Sequence, residues 1–124
     1  MTEREFYESI GGSYEEAAGR LMRDSFIRKF VCRFPEDPSF SALETAVAAQ
    51  AWDDAFAAAH TLKGVVMNLA FTRLSAAAVA VTDALRPQNR ENLTPERITE
   101  LFAEVKKEYE TVLAAIGELT RCNV

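Results

Sequence analysis

The only histidine of this chain, His60, is the residue best suited to covalent chemistry. It stands in the run His60-Thr61-Leu62-Lys63-Gly64, with a lysine three residues on and a glycine four residues on. A solvent-exposed imidazole is mostly neutral at pH 7, and the neutral ring is a nucleophile. If the ring took up a phosphoryl group, Lys63 would be one helical turn away and able to pair with the new negative charge. The spacing is therefore suited to phosphoryl chemistry at His60.

Helical periodicity predicts that His60 faces outward. On a wheel of about 100° per residue, the apolar stripe of residues 54–69 lies on the far side of the helix from His60. That stripe is Ala55, Leu62, Val66 and Leu69, whereas Phe56, Lys63, Gly64, Met67 and Asn68 lie on the His60 side.

Glycine at position 64 is a costly choice for a helix interior, by about 1 kcal/mol relative to alanine. Close approach of another surface to the imidazole is one reason to accept that cost. Met67 and Phe56 beside a reactive group are predicted to belong to an adaptable docking surface. The alternative for both is partial burial against a neighbouring helix, more so for Phe56.

The elements that must position these residues are all predicted to be helices, because alanine is dense and no run of residues alternates like a strand. Predicted helices cover residues 3–10, 13–21, 24–34, 38–50, 54–69, 72–86 and 94–119, with a polar loop at 87–92. Pro35 and Pro38 predict a kink or break between the third and fourth helices. The stripe Phe26, Ile27, Phe30, Val31 and Phe34 is predicted to face the core.

Short connections between long amphipathic helices favour antiparallel neighbours. The predicted fold is therefore all-α, an antiparallel up-and-down four-helix bundle with short additional N-terminal helices. A length of 124 residues fits one domain, predicted to span residues 1–124.

Composition excludes several classes of function. With 14 basic and 19 acidic residues, the net charge of −5 argues against nucleic acid as a partner. Cys32 and Cys122 form neither a disulfide framework nor a zinc site. No apolar stretch approaches the roughly 20 residues of a membrane span, so we expect a soluble, cytoplasmic protein that does not bind membranes. The glycines match no nucleotide-binding loop, which argues against phosphorylation from ATP by this chain alone.

The segment around His60 resembles the signature of histidine-containing phosphotransfer (HPt) domains, A-H-x-L-K-G-x-x-x-x-L-G. The matching residues are His60-Thr61-Leu62-Lys63-Gly64, preceded by Ala58-Ala59 and followed by Asn68-Leu69. The resemblance extends over most of the chain, through Leu74 in the next helix and the final long helix. Ala70 departs from the signature, since the family usually has glycine there.

The resemblance implies a phosphocarrier of multistep two-component signalling, which accepts a phosphoryl group on His60 from a receiver-domain phospho-aspartate and passes it to another receiver. Lys63 matches the basic residue beside the phosphate, and Gly64 matches the small residue that keeps the histidine accessible. Met67, Phe56, Asn68 and Arg73 complete the candidate docking residues. The expected partners are response-regulator receiver domains and hybrid or chemotaxis-type histidine kinases. The chain is expected to be a monomer with no intrinsic cofactor, and Mg²⁺ is expected on the partner receiver.

Three alternatives remain open at this stage. The first, a close variant of the phosphocarrier, is an HPt-like module phosphorylated by the ATP-binding domain of a separate chemotaxis-type kinase. The second is a helical adaptor domain that carries no phosphate. The third is a small hydrolytic enzyme with His60 as base, for which Asp53, two turns back, is the only further acid or base on that face.

Overall fold

In a computed structural model of the protein, the backbone is described for residues 1–121 and the side chains for residues 1–120. The described residues form helices and turns without any strand, so the all-α prediction is confirmed. The helices are α1 (Glu3–Ser9), α2 (Tyr14–Leu21), α3 (Asp24–Arg33), α4 (Ser39–Ala48), α5 (Trp52–Asn68), α6 (Thr72–Leu85) and α7 (Pro95–Arg121). No helix in this described part is long and apolar enough to cross a membrane. Cys122 lies outside the described residues, and Cys32 is a half-buried free thiol.

Four helices surround the core. Helix α4 packs on α5, α5 on α6, α6 on α7, and α7 returns to α4. Their facing sides are apolar and buried, among them Leu43, Leu62, Val66, Leu74, Val81, Ile98, Val105 and Val112. Because α5 is flanked by α4 and α6, its remaining side faces solvent.

Helix α1 and the turn after it are hydrogen-bonded to the turn between α5 and α6, and α1 and α3 also pack on α7. The Tyr7 hydroxyl donates a 2.8 Å hydrogen bond to the carbonyl of Leu69. The amide of Ser13 donates to the carbonyl of Ala70 over 3.0 Å. Ala70 has φ +60°, which is unfavourable for an L-residue by roughly 1–2 kcal/mol. The family's usual glycine would avoid this strain.

The predicted break at the two prolines is confirmed. Helix α3 ends at Arg33, the chain makes a 3₁₀ turn over Phe34–Glu36, and α4 begins at Ser39 directly after Pro38. The Asp37 carboxylate accepts a 2.9 Å hydrogen bond from the Ser39 amide. It therefore satisfies one of the amides that a helix start leaves without an internal partner.

The predicted burial of the apolar stripe from Phe26 to Phe34 is wrong for two of its five residues. Ile27, Val31 and Phe34 are buried, but Phe26 and Phe30 are 43% and 41% exposed. Helix α3 packs on α1, α2 and α7. These contacts cover the side of Ile27 and Val31, and the opposite part of the apolar stripe has no helix to cover it.

Several predicted helix boundaries also change by one or two residues. Helix α5 begins at Trp52, two residues earlier than predicted, so Asp53 and Asp54 lie in its first turn. The predicted polar loop at 87–92 is a 3₁₀ segment, Pro87–Asn92.

Candidate functional site

His60 lies in the middle of α5 and is exposed to solvent. The side of α5 that faces the core is formed by Ala55, Ala59, Leu62 and Val66, all of which are buried. The outward direction predicted from the helical wheel is therefore confirmed. A ring in the middle of a helix has a fixed backbone behind it, so its orientation depends little on loop motion.

Phe56 supports the imidazole from one turn earlier. The centroids of the two rings are 6.1 Å apart, with an angle of 32° between their planes. Phe56 is half-buried and packs against the core, and the Arg86 guanidinium lies 5.9 Å from its ring centroid. Phe56 is thus partly buried and also lies beside the candidate docking surface, because one side of its ring packs inward and the other reaches His60.

Lys63 and Gly64 follow His60 by one turn. Lys63 is half-buried, and no ion pair involves it in the described part of the chain. Gly64 is exposed, and beyond its chain neighbours and the backbone of its own helix a Cβ added there would meet no atom within 4 Å. No packing contact therefore requires glycine at this position, which leaves open space directly beside the imidazole.

Met67 and Asn68 extend the exposed surface toward the end of α5. The Met67 side chain is 48% exposed, and Asn68 is also exposed. Arg20 of α2 donates hydrogen bonds to the carbonyls of both residues, the one to Asn68 over 3.2 Å. A cation at the carbonyl end of a helix is favoured by the helix dipole. Sequence reasoning missed Arg20, since only the packing of α2 brings it to α5.

Arg73 is separated from the other candidate docking residues. Its guanidinium pairs with the carboxylate of Glu108 on α7 at 3.1 Å, and the Glu108 side chain is only 9% exposed. Its backbone amide donates to the carbonyl of Gly11. These contacts direct Arg73 toward α1 and α7, whereas His60 lies on the open side of α5.

Asp53 is engaged elsewhere as well. Its carboxylate pairs with Arg90, which also donates to the carbonyls of Leu85 and Trp52, so that the start of α5 is tied to the end of α6. Seven residues along a helix correspond to roughly 10 Å, which is beyond hydrogen-bond reach of His60. The hydrolytic alternative therefore lacks the second group that it requires. Residues 1–121 also contain no group of three or more side chains that could hold a metal ion.

The comparisons with known proteins agree with this geometry. A family model described as "Hpt domain" matches residues 31–115, which include the complete His60 segment and helices α4, α5 and α6. Searches of curated proteins and of solved structures found no match. The family match covers more than two thirds of the 124 residues. The chain therefore belongs to the Hpt domain family, the histidine phosphotransfer modules of phosphorelays.

Proposed function

We propose that this protein is a histidine phosphocarrier that receives a phosphoryl group on His60 from the phospho-aspartate of one receiver domain and delivers it to another. The observation that carries the proposal is the exposed imidazole of His60 in the middle of α5, with open space at Gly64 beside it. A carrier must admit two different partners to the same atom in turn. An open convex face suits this task better than a closed cleft.

The proposed forward step transfers one phosphoryl group between two side chains. A lone pair on one imidazole nitrogen of His60 attacks phosphorus, the new P–N bond forms, and the bond between phosphorus and the aspartyl oxygen breaks. The aspartate leaves as a carboxylate, and the proton on the other ring nitrogen stays there or passes to water. In the return step the other ring nitrogen carries a proton, regained from water if it was lost; the carboxylate of the next receiver attacks phosphorus, the P–N bond breaks, and neutral imidazole leaves.

Positioning and charge stabilisation dominate phosphoryl transfer, and the two proteins would divide these tasks. The receiver would supply Mg²⁺ and most of the charge stabilisation, so the carrier needs no cofactor of its own. Lys63, without an ion-pair partner in the described residues, is available to pair with the phosphoryl oxygens. Such a protein is a nucleophile and leaving group rather than a complete enzyme.

The proposed docking surface surrounds His60 on α5 and consists of Phe56, Gly64, Met67 and Asn68. We further propose that residues 1–124 act as one cytoplasmic, monomeric domain, and that α4–α7 form an antiparallel four-helix bundle. The short connections between these helices support that topology.

Phosphoryl exchange with receiver domains tests the proposal. Purified protein is incubated with each phosphorylated receiver domain encoded in the same genome, and the product is tested for one acid-labile, base-stable phosphoryl group. We expect labelling of the wild type and none of His60→Gln, with matching circular dichroism and melting temperature as the folding control. An unlabelled wild type with every receiver contradicts the carrier function. Labelling only with ATP and an isolated kinase catalytic domain identifies the chemotaxis-type module instead.

A further inference from the structure

Helix α3 and the turn before it carry an exposed apolar row that the carrier chemistry does not explain. Met22 is 83% exposed, Phe26 43% and Phe30 41%. Phe26 and Phe30 are four residues apart within α3, so they lie on one side of the helix, and Met22 stands in the turn just before it. The buried Ile27 and Val31 lie about 100° around the helix from Phe26 and Phe30. Exposed large apolar side chains in a row are a feature of interaction surfaces.

The same side of α3 carries three cations. Arg23, Lys29 and Arg33 are all exposed, and none of them forms an ion pair among residues 1–120. Arg23 instead lies over the Phe26 ring, 5.5 Å from its centroid. We call this surface the α3 outer face; it comprises Met22, Arg23, Phe26, Lys29, Phe30 and Arg33. In a chain with a net charge of −5, it is a local basic and aromatic area.

The α3 outer face continues into the surface around His60. Phe30 and Arg33 line one hollow together with Val65 and Asn68 of α5, and Asp37 is the carboxylate in that hollow. Asn68 follows His60 by eight residues, or roughly 12 Å along the helix, with the open position of Gly64 between them. A standard interface covers about 800 Å² of each partner, equivalent to a disc of roughly 16 Å radius. One interface centred on His60 is therefore wide enough to reach Asn68, at the edge of the hollow that Phe30 and Arg33 also line.

We propose that the α3 outer face is the second half of the receiver-docking surface and sets the direction in which the receiver lies across His60. This inference rests on the proposed carrier function. A receiver that holds Mg²⁺ beside its aspartate must present carboxylates around that site, since this ion is bound through carboxylates and phosphate oxygens. An acidic rim is complementary to Arg23, Lys29 and Arg33, and such complementarity raises association rates and fixes orientation. Phe26 and Phe30 supply apolar contact area in the same interface.

The test uses the receiver domain that exchanges phosphoryl groups fastest with the wild-type chain. Its dissociation constant and exchange rate are measured for the wild type, Phe30→Ser, Phe26→Ser and the double variant Lys29→Gln/Arg33→Gln. The control is Arg97→Gln/Lys107→Gln, which removes two exposed cations from α7. Each variant is also phosphorylated with phosphoramidate, a small donor that requires no docking surface.

We expect Phe30→Ser to weaken receiver binding tenfold or more, as truncation of a central aromatic contact does. The cation variant should bind more weakly and lose much of its salt dependence, whereas the α7 control should stay within twofold of the wild type. Phosphoramidate should label all of them equally. The cation variant alters only exposed side chains, so we expect it to fold normally. It therefore still tests the proposal if a phenylalanine variant folds poorly.

Two results overturn the inference, and they are distinguishable. If the aromatic and the cation variants bind the receiver and exchange phosphoryl groups as well as the wild type does, the docking role of the α3 outer face is contradicted. The proposed carrier function is unaffected by that result. Phosphoramidate labelling of His60 without exchange with any receiver contradicts the carrier function, and this inference with it.

Discussion

At the scale of single residues, the surroundings of His60 contain more open space than the fold requires. Gly64 is exposed, and a methyl group there would contact nothing beyond its chain neighbours and the backbone of its own helix. Alanine would make the helix more stable by about 1 kcal/mol. We therefore expect the reason for glycine at position 64 to lie in what approaches His60.

Substitutions of Gly64 separate stability from function. Gly64→Ala should raise the free energy of unfolding by about 1 kcal/mol, and Gly64→Gln should lower the rate of receiver exchange by about tenfold, equivalent to about 1.4 kcal/mol. Gly117→Ala is the matched control, because Gly117 is also an exposed helical glycine with nothing within 4 Å of an added Cβ. It should gain similar stability without any effect on exchange. Urea unfolding and exchange kinetics measure the two quantities, and unchanged exchange in Gly64→Gln would argue against an access role.

Lys63 is expected to stabilise the phosphorylated state only. Lys63→Gln should lower the equilibrium fraction of phosphohistidine formed with phosphoramidate by about fivefold, corresponding to about 1 kcal/mol for a partly exposed ion pair. Lys63→Arg keeps the charge and should recover most of that loss. Stability of the unphosphorylated protein should change little in both. Equal phosphohistidine levels in the wild type and both variants would contradict a role of Lys63 in stabilising the phosphoryl group.

Arg73 is expected to act on stability. Because Glu108 is nearly buried and Arg73 is half exposed, Arg73→Ala should lower the free energy of unfolding by about 1 kcal/mol. Receiver exchange should stay within twofold of the wild type. Lost exchange at unchanged stability would instead support the docking role predicted from its sequence position.

At the scale of helices, the sequence predicted regular segments well and their surroundings less well. The outward direction of His60 followed from the period of α5 alone, because α5 has a neighbouring helix on each side of its buried stripe. The same reasoning failed for Phe26 and Phe30. An apolar stripe shows which residues are able to face a core. Which helices pack over that stripe depends on the tertiary structure, and sequence periodicity gives no information about it. The ion pairs of Arg73 and Arg90 were missed for the same reason, since each joins residues at least 35 positions apart.

The turn between α1 and α2 depends on a glycine for steric reasons. A Cβ at Gly12 would lie 2.8 Å from the Ala70 carbonyl oxygen and 2.8 Å from the Tyr7 ring. Gly12→Ala should therefore separate the N-terminal helices from the α5–α6 turn and lower the free energy of unfolding by about 2 kcal/mol or more. Gly19→Ala in α2, where an added Cβ meets nothing within 4 Å, should be neutral or stabilising. Thermal melts of the two variants measure the difference, and equal melting temperatures would contradict it.

At the scale of the whole molecule, aromatic rings join the N-terminal helices to the bundle. The Phe71 ring, at the start of α6, lies 5.9 Å from the Phe6 ring and 5.3 Å from the Phe34 ring, centroid to centroid. Phe34 in turn contacts Tyr109 of α7 at 5.6 Å. Such edge-to-face pairs contribute about 0.5–1.5 kcal/mol beyond the area that they bury. The N-terminal helices are thus part of the same core as α6 and α7.

Burial of Tyr7 makes the whole fold sensitive to alkaline pH. Burial raises the pKa of Tyr7, so the folded state keeps the neutral phenol at pH values where the unfolded chain ionises it. The stabilisation is complete below the unfolded pKa of about 10 and is lost as the pH rises above it, by up to about 1.4 kcal/mol per pH unit for one group. Urea unfolding between neutral and alkaline pH should show constant stability followed by this decline.

The variant Tyr7→Phe isolates the contribution of that hydroxyl. It loses the hydrogen bond to the Leu69 carbonyl, which should lower the free energy of unfolding at neutral pH by about 1 kcal/mol. The free energy of unfolding of this variant should decline less steeply above pH 10 than that of the wild type. An equally steep decline in the variant would assign the alkaline sensitivity to other groups.

The structure also provides an optical probe without chemical labelling. The chain contains a single tryptophan, Trp52, which is the first residue of α5 and is half-buried, with its carbonyl bonded to Arg90. It precedes His60 by eight residues, or roughly 12 Å along the same helix. All tryptophan emission therefore comes from one known position on the same helix as His60. Receiver association and unfolding are both accessible to stopped-flow fluorescence of the unmodified protein.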